Sequence, residues 1–329
     1  MRTAILDWYR RGHRDLPWRR TRDPYAILVS EIMLQQTQVD RVIPKYHQFL
    51  ERYPTLEALA AAPRAEVIRT WAPLGYNLRA VRLHEIARQA VERYAGRLPD
   101  TVEGLLSLKG IGPYTAGAIA CFAFGRAEAA LDTNVRRVLG RIFAADVPRA
   151  AEDDRPAWQL ARAVLPPGEA YDWNQALMDL GATVCLSRLP RCLLCPAQAS
   201  CSARRAWVPA DGAAATVATA AMVAEAPAPY GAGTSAELAH GASAVTAPAQ
   251  AAPGPAPRPR RPALATERFE GSRRWYRGRI VDALRALPAG AALPLETLGR
   301  QLKPDYSPAD HTWLLDLAGA LARDGLIEL

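Results

Sequence analysis

The chain has 329 residues, half of them hydrophobic and 22% charged, enough to build one sizeable core and a second smaller unit, which excludes a chain disordered throughout. Lys and Arg number 41 against 33 Asp and Glu, a net charge of +8 that favours a polyanionic partner without identifying one. No run of about 18 apolar residues is present and the N-terminus is charged from Arg2, so neither a membrane-spanning helix nor a secretory leader is expected; a cytoplasmic protein is expected, and in that reducing compartment metal binding is a better reading of the five cysteines than disulfides.

In chain order, residues 1–205 repeat apolar side chains at helical spacing, with no long period-two alternation, and predict an all-α unit. Helices are predicted over Tyr25–Leu34, after an Asp23-Pro24 start, and over Val39–Leu50, Leu78–Tyr94 and Thr115–Phe124. Two more are predicted over Val135–Phe143, after an Asp132-Thr133 start, and Trp158–Leu165. Between Pro209 and Pro257 the composition falls to Ala, Pro, Gly and Thr, with no Lys or Arg and only Asp211, Glu225 and Glu237 as acids, which predicts a disordered linker. Eight arginines then crowd between Arg258 and Arg279. Three short helices follow, at Ser272–Leu287, Leu295–Leu302 and Ala309–Arg323, with apolar pieces at 292–295 and 326–329 able to pair as a small sheet. The expected division is therefore 1–207 for the first domain, 208–266 for the linker and 267–329 for a small helical, winged-helix-like module.

The strongest chemical signal is Cys185-x6-Cys192-x2-Cys195-x5-Cys201, four thiols in one loop shaped by Pro190 and Pro196. Zinc sites usually pair cysteines symmetrically, whereas this uneven 6-2-5 spacing suits a [4Fe–4S] cluster, with structural zinc as the alternative. Cys121, within an apolar run, reads as a buried core residue. A second signal is Leu108-Lys-Gly-Ile-Gly-Pro-Tyr-Thr-Ala-Gly117: a turn through Gly110 and Gly112 directly into a helix start exposes backbone N–H groups suited to a phosphate, although an ordinary helix–helix turn has the same pattern. Asp132, 20 residues past Gly112, is either a functional acid or a simple N-cap.

Together the cysteine spacing, the Leu-x-Gly-Ile-Gly hairpin and the downstream Asp resemble the helix-hairpin-helix DNA glycosylase superfamily of endonuclease III. Ser30-Glu-Ile-Met-Leu-Gln-Gln-Thr-Gln-Val39, Leu16-Pro-Trp-Arg19, Leu74-Gly-Tyr76 and Trp173-Asn-Gln-Ala-Leu-Met-Asp-Leu-Gly181 resemble its adenine DNA glycosylase branch, over residues 4 to 205.

The resemblance implies an all-α glycosylase fold with a [4Fe–4S] loop held by the four cysteines, and a monomer that acts on double-stranded DNA containing a mispaired adenine. Glu31 matches the general acid that protonates N7 of adenine, its pKa raised by the apolar neighbours Ile27, Ile32 and Met33. Asp132 matches the carboxylate that stabilises the sugar cation, and Asn134 a polar partner of the same site. Tyr114 stands where relatives that also nick the strand carry a Schiff-base lysine, so a monofunctional enzyme is implied. Arg19, Trp18, Gln175 and Met178 are the base-pocket candidates. Gln36 and Tyr76 match wedge residues that fill the hole left by a flipped base, with Leu34 and Thr37 beside them and Gly110 and Gly112 at the DNA backbone.

Two features depart from the branch. The local sequence is Asp132-Thr-Asn134 where Asp-Gly-Asn is commoner, and the last 60-odd residues hold no counterpart of the Nudix-like domain that reads 8-oxoguanine. Thymine or uracil mismatch glycosylases share Glu31, Tyr114 and the cysteines, but tend to carry arginines where this chain has Gln35-Gln36. A non-catalytic DNA-binding protein is the remaining alternative, and the presence of both carboxylates argues against it.

Overall fold

All regular structure in the computed structural model, which describes residues 1–143, 154–207, 269–288 and 290–329, is helical. The segment expected to be a linker, 208–266, lies outside the described residues. The chain opens with α1 (Arg2–Gly12) and then α2 (Pro24–Leu34), which starts where the sequence announces it: Asp23 Oδ1 accepts from the Tyr25 N–H at 3.0 Å, with Pro24 at the first helical position. Then come α3 (Val39–Arg52), α4 (Leu56–Ala61), α5 (Arg64–Trp71) and α6 (Leu78–Tyr94). The hairpin pair is α7 (Val102–Leu106) and α8 (Pro113–Phe122), followed by α9 (Thr133–Phe143), α10 (Arg155–Ala163), α11 (Ala170–Thr183) and α12 (Ser202–Trp207).

Two apolar clusters organise these helices. The first joins α2 through α8, with Phe49, Trp71, Leu83, Ile86 and Ile119 fully buried. The second joins α1 to α9, α10, α11 and the cysteine loop around Ile5, Val138, Trp173 and Leu180. Each such side chain withdrawn from water contributes about 1.5–3 kcal/mol before chain entropy is counted. Hydrophobic on every side from Thr115 to Phe122, α8 is buried between α2, α7 and α11. Cys121 sits in it fully buried, as its apolar surroundings predict.

The passage from α8 to α9 is held at very close range. A Cβ on Gly117 would lie 2.2 Å from the Ala129 carbonyl oxygen, so the strand-like segment before Asp132 packs directly on the α8 backbone. From the other side, buried Asn174 on α11 donates to the carbonyls of Glu128 (2.8 Å) and Ala170 (2.9 Å) and accepts from the Ala130 N–H (3.0 Å). The segment is thus clamped between α8 and α11, which fixes where Asp132 emerges.

The C-terminal unit contains α13 (Arg273–Arg285), α14 (Leu295–Leu302) and α15 (His311–Arg323), as the sequence predicts. Ile280, Val281, Leu298, Leu302, Leu314, Leu317 and Leu321 form its interior and are continuous with the first cluster, and Arg69 donates to the Leu287 carbonyl across the junction (3.3 Å). The expected small sheet is not formed among the described residues. Pro294 lacks an N–H and caps α14, while the Leu326 N–H closes the end of α15 on the Leu321 carbonyl (2.9 Å); Leu293, Leu326 and Ile327 pack on helices instead. Among the described residues no helix is long and apolar enough to cross a membrane.

Gly117→Ala is expected to destabilise the fold by about 1–3 kcal/mol, because the Ala129 carbonyl is backbone and cannot rotate away. Thermal melting of the variant checks this; an unchanged midpoint would show that the two segments are less tightly apposed.

Candidate active site

Glu31 lies in the last turn of α2, on the side facing α8, and is 5% exposed. Ile27, Ile32 and Met33 around it are buried, and its Oε2 finds no hydrogen-bond partner. Burial is the main reason its pKa rises from 4.5 to about 7; a hydrogen bond from Tyr114 pulls it down and the negative charge of Asp132 pushes it up. Tyr114, in the first turn of α8, is raised well above its ordinary value by burial and then by the charges of Glu31 and Asp132. The carboxyl, the phenol and the second carboxylate therefore form one electrostatic group, as the sequence predicts. A carboxylic acid that keeps its proton near neutrality beside an ionised partner is the pairing that acid-assisted bond cleavage requires.

Asp132 also caps α9. Its Oδ1 accepts from the Val135 N–H at 2.6 Å, and its Oδ2 accepts from Asn134 Nδ2 at 3.1 Å. The cap reading and the functional reading coexist, since capping fixes the orientation in which the carboxylate is presented. Asn134 is held in turn by Arg137, which donates to Asn134 Oδ1 (2.9 Å) and to the carbonyls of Gly181 (2.8 Å) and Cys185 (3.0 Å). One turn further along α9, Arg141 donates to the Leu186 (2.6 Å) and Ser187 (2.8 Å) carbonyls. The helix that carries Asp132 is thereby bolted to the cysteine loop.

In that loop Cys185, Cys192, Cys195 and Cys201 line a single pocket with Ile142, Pro190, Arg141 and Arg204. Burial first, and the other thiols second, raise the Cys192 thiol; burial also dominates the rise of Cys195 to about 11. Among the described residues no three Cys, His, Asp or Glu side chains are gathered tightly enough to hold one metal ion. The four thiols nevertheless frame one pocket.

The wedge candidates lie on two loops. Gln36 (φ 54°) and Tyr76 (φ 47°) both adopt the left-handed backbone region, which costs a non-glycine residue about 1–2 kcal/mol. A side chain that no motif points to, Arg79 on α6, holds both loops. It is buried, and donates to the carbonyls of Met33 (2.8 Å), Gln35 and Gly75 (3.1 Å) and to Thr37 Oγ1 (2.9 Å). Leu34 packs half-buried against the core beneath. A cleft runs from Gln35 and Leu78 past Arg82, Glu85 and Lys109 to Gly110, Gly112 and Tyr114, so the loop after α2, the hairpin turn and the phenol beside Glu31 share one face, with Arg82 and Lys109 added that sequence motifs do not mark. Gly110 has φ 112°, which the turn requires, and Gly112 is the N-cap residue of α8.

The base-pocket candidates are only partly brought together. Arg19 Nε donates to Gln175 Oε1 (2.7 Å), and its Nη atoms engage both oxygens of Asp179 (2.8 and 2.9 Å), which Arg14 also contacts. Burial opposes ionisation of Asp179, but its bonds to Arg19 and the charges of Arg19 and Arg14 hold its pKa below the ordinary value. Trp18 is buried edge-on against Tyr46 in the core, and Met178 is half-buried where the two clusters meet. Arg19 and Gln175 thus form one polar unit, and Trp18 belongs to the core.

Comparison with known proteins agrees with this architecture. Residues 29–162 match the family model of the HhH-GPD superfamily base excision DNA repair protein. The chain is 49% identical over 210 residues to the adenine DNA glycosylase of Mycolicibacterium smegmatis, covering 63% of this chain and 70% of that one. It is 46% identical over 214 residues to the adenine DNA glycosylase of Homo sapiens, covering 62% of this chain but only 39% of the human protein. Among solved structures, a thermostable thymine-DNA glycosylase superposes with a TM-score of 0.58 at 35% identity, over 62% of this chain and 94% of that one. With its hairpin, its buried acid and its capping aspartate in the arrangement described, the chain belongs to the HhH-GPD superfamily of base excision DNA repair proteins.

Proposed function

We propose that this protein is a monofunctional DNA glycosylase that hydrolyses the N-glycosidic bond of adenine mispaired with guanine or 8-oxoguanine. The observation that carries the reading is Glu31, a buried acid with an unpartnered oxygen and a pKa of about 7, facing Tyr114 and Asp132. The likeness to adenine DNA glycosylases, at 46% and 49% identity, favours adenine as the base.

In this reading the flipped adenine accepts the Glu31 proton at N7, so that a neutral base leaves as the C1′–N9 bond breaks. Asp132, held by the Val135 N–H and Asn134, stabilises the sugar cation that develops. Water then adds its hydroxide to C1′ and returns a proton to the Glu31 carboxylate. Tyr114 supplies a phenol in place of an amine, so no Schiff base forms at that position. Gln175, oriented by Arg19, presents its amide to the base edge, with Met178 beside it and Trp18 supporting from the core. Gln36 and Tyr76 enter the duplex while Leu34 and Thr37 back them, and the N–H groups at Gly110 and Gly112 receive phosphate. The substrate is double-stranded chromosomal DNA, met by a monomer in the cytoplasm; residues 208–266 tether a distinct C-terminal unit.

The four cysteines would hold a [4Fe–4S] cluster, whose contribution is to lock the loop that Arg137 and Arg141 grip. The purified protein should accordingly be brown, absorb near about 400–420 nm and contain about four irons per chain. Cys192→Ser should lose iron and stability; a colourless, zinc-loaded native protein would refute the assignment.

Excision assays on duplexes carrying A:8-oxoG, A:G, T:G and U:G test the function directly. Release of adenine is expected, and release of thymine or uracil alone would place the chain with the mismatch glycosylases of those bases. Asp132→Asn and Glu31→Gln should each lower single-turnover adenine release by at least about a hundredfold, with mispair binding retained within about tenfold. Near-normal rates in either variant contradict the roles of these two carboxylates.

The pH dependence has a definite sign. Glu31 must be protonated to act, and its pKa stands at about 7, so the single-turnover rate should fall as pH rises above about 7. A rate that climbs between pH 7 and 9 would exclude Glu31 as the acid.

A further inference from the structure

The C-terminal unit meets the wedge-bearing domain at an unusual place. Arg274, in the first turn of α13, lays its guanidinium 4.9 Å from the ring centre of Tyr76 and 5.9 Å from that of Phe269. On the same tyrosine, Arg79 approaches at 5.5 Å. Both aromatic rings remain largely in water, Tyr76 49% and Phe269 63% exposed.

Three other cations on α13 are committed elsewhere. Arg277 pairs with Asp324, Arg285 pairs with Asp282, and Arg279 lies over Trp275. Among the described residues Arg274 has no carboxylate partner, and it rests against aromatic rings instead. Each ring keeps open apolar surface that the fold itself does not cover. The unit is also no loose tail, because its interior is continuous with the first core and Arg69 is bonded to Leu287.

We propose that Tyr76, Arg274 and Phe269 form a stacking platform, contributed jointly by the two parts of the chain, that grips the nucleobase left without a partner when its mate is extruded. The proposal rests on the reading of the protein as a glycosylase of mispaired DNA and adds to it a job for the C-terminal unit. Alternating rings and a planar guanidinium offer flat, polarisable faces to a base, worth about 1–3 kcal/mol per stacked base. An apolar peptide is a poor occupant, since an unneutralised cation stands in the middle of the surface. The cleft that begins at Gln35 and Leu78 adds Arg82 and Lys109 against one acid, Glu85, a net positive lining that suits a polyanion. Tyr76 is committed by its left-handed backbone and by Arg79 to point outward, so Arg274 extends a wedge that is already in place.

The test uses the full chain and two duplexes identical except at one position. One carries a non-hydrolysable 2′-fluoro-2′-deoxyadenosine opposite guanine and the other the same analogue opposite thymine. Arg274→Ala and Phe269→Ala should each lower the preference for the mispaired duplex about tenfold, the loss expected for one stacked base. Arg274→Lys keeps the charge but not the plane and should fall with the alanine variant. A 2-aminopurine opposite the analogue should be quenched on binding by the unmodified chain and less so by the variants. Equal losses on both duplexes would reduce Arg274 to a phosphate contact, and a lysine variant indistinguishable from the parent would do the same; unchanged preference in the alanine variants also overturns the platform. Failure of the unmodified chain to release any base from a mispair would instead sink the glycosylase reading, and is measured separately.

Discussion

One buried guanidinium with no carboxylate partner among the described residues fixes the geometry on which the site depends. Arg79 is surrounded by carbonyl oxygens, those of Ile32, Met33 and Gln35 at the C-terminal end of α2 and those of Leu74 and Gly75 in the loop before α6. The C-terminal end of a helix is the negative end of its dipole, so backbone oxygens, with the Thr37 hydroxyl, take up most of the guanidinium's donors, and burial still lowers its pKa to about 10. A planar fork with several donors can reach this many acceptors at once; a lysine cannot. Because the same side chain ends the helix of Glu31 and holds the loops of Gln36 and Tyr76, the residues proposed as proton donor and as wedge share one anchor. Two strained left-handed residues persist there because the surroundings over-determine them.

A second constraint meets the first across the seam between the two apolar clusters. Glu31 belongs to one and Asp132 enters the other, so their apposition depends on how α8, α9 and α11 are packed. Three devices set it without any charge–charge contact. Gly117 admits the Ala129 backbone against α8, Asn174 closes the same segment from α11, and Gly181 lets α11 approach Asn134 to about van der Waals contact. The Arg137 bridge then makes the cysteine loop part of the support of Asp132 rather than an appendage.

Much of this was legible in the sequence because it is local. Apolar periodicity located α2, α6, α8 and the three C-terminal helices, and Asp23-Pro24 and Asp132-Thr133 marked helix starts through a capping chemistry that acts within three residues. Glu31, Tyr114 and Asp132 were found because their residue types stand at telling places in motifs. The short helices α4, α5 and α7 span too few turns for a periodic signal. Arg79 and Asn174 were invisible for a different reason: their partners are backbone carbonyls and N–H groups, which every residue possesses and no spacing reveals. Trp18 is a motif residue whose ring is buried in the core. The meeting of Arg274 with Tyr76 joins segments too distant in the chain for any local rule to bring together.

The burial of Glu31 has a further consequence, for folding rather than for chemistry. Its carboxyl titrates near 4.5 when unfolded and near 7 in the native protein, so between those values the native state keeps a proton the unfolded chain has released. The stability associated with this group is complete below about pH 4.5, drains away as pH rises, and levels off above about 7, a deficit on the order of 3 kcal/mol. A hunt for heat-resistant variants conducted at alkaline pH would therefore favour neutral replacements at position 31, and on the proposed role of Glu31 it would enrich inert proteins.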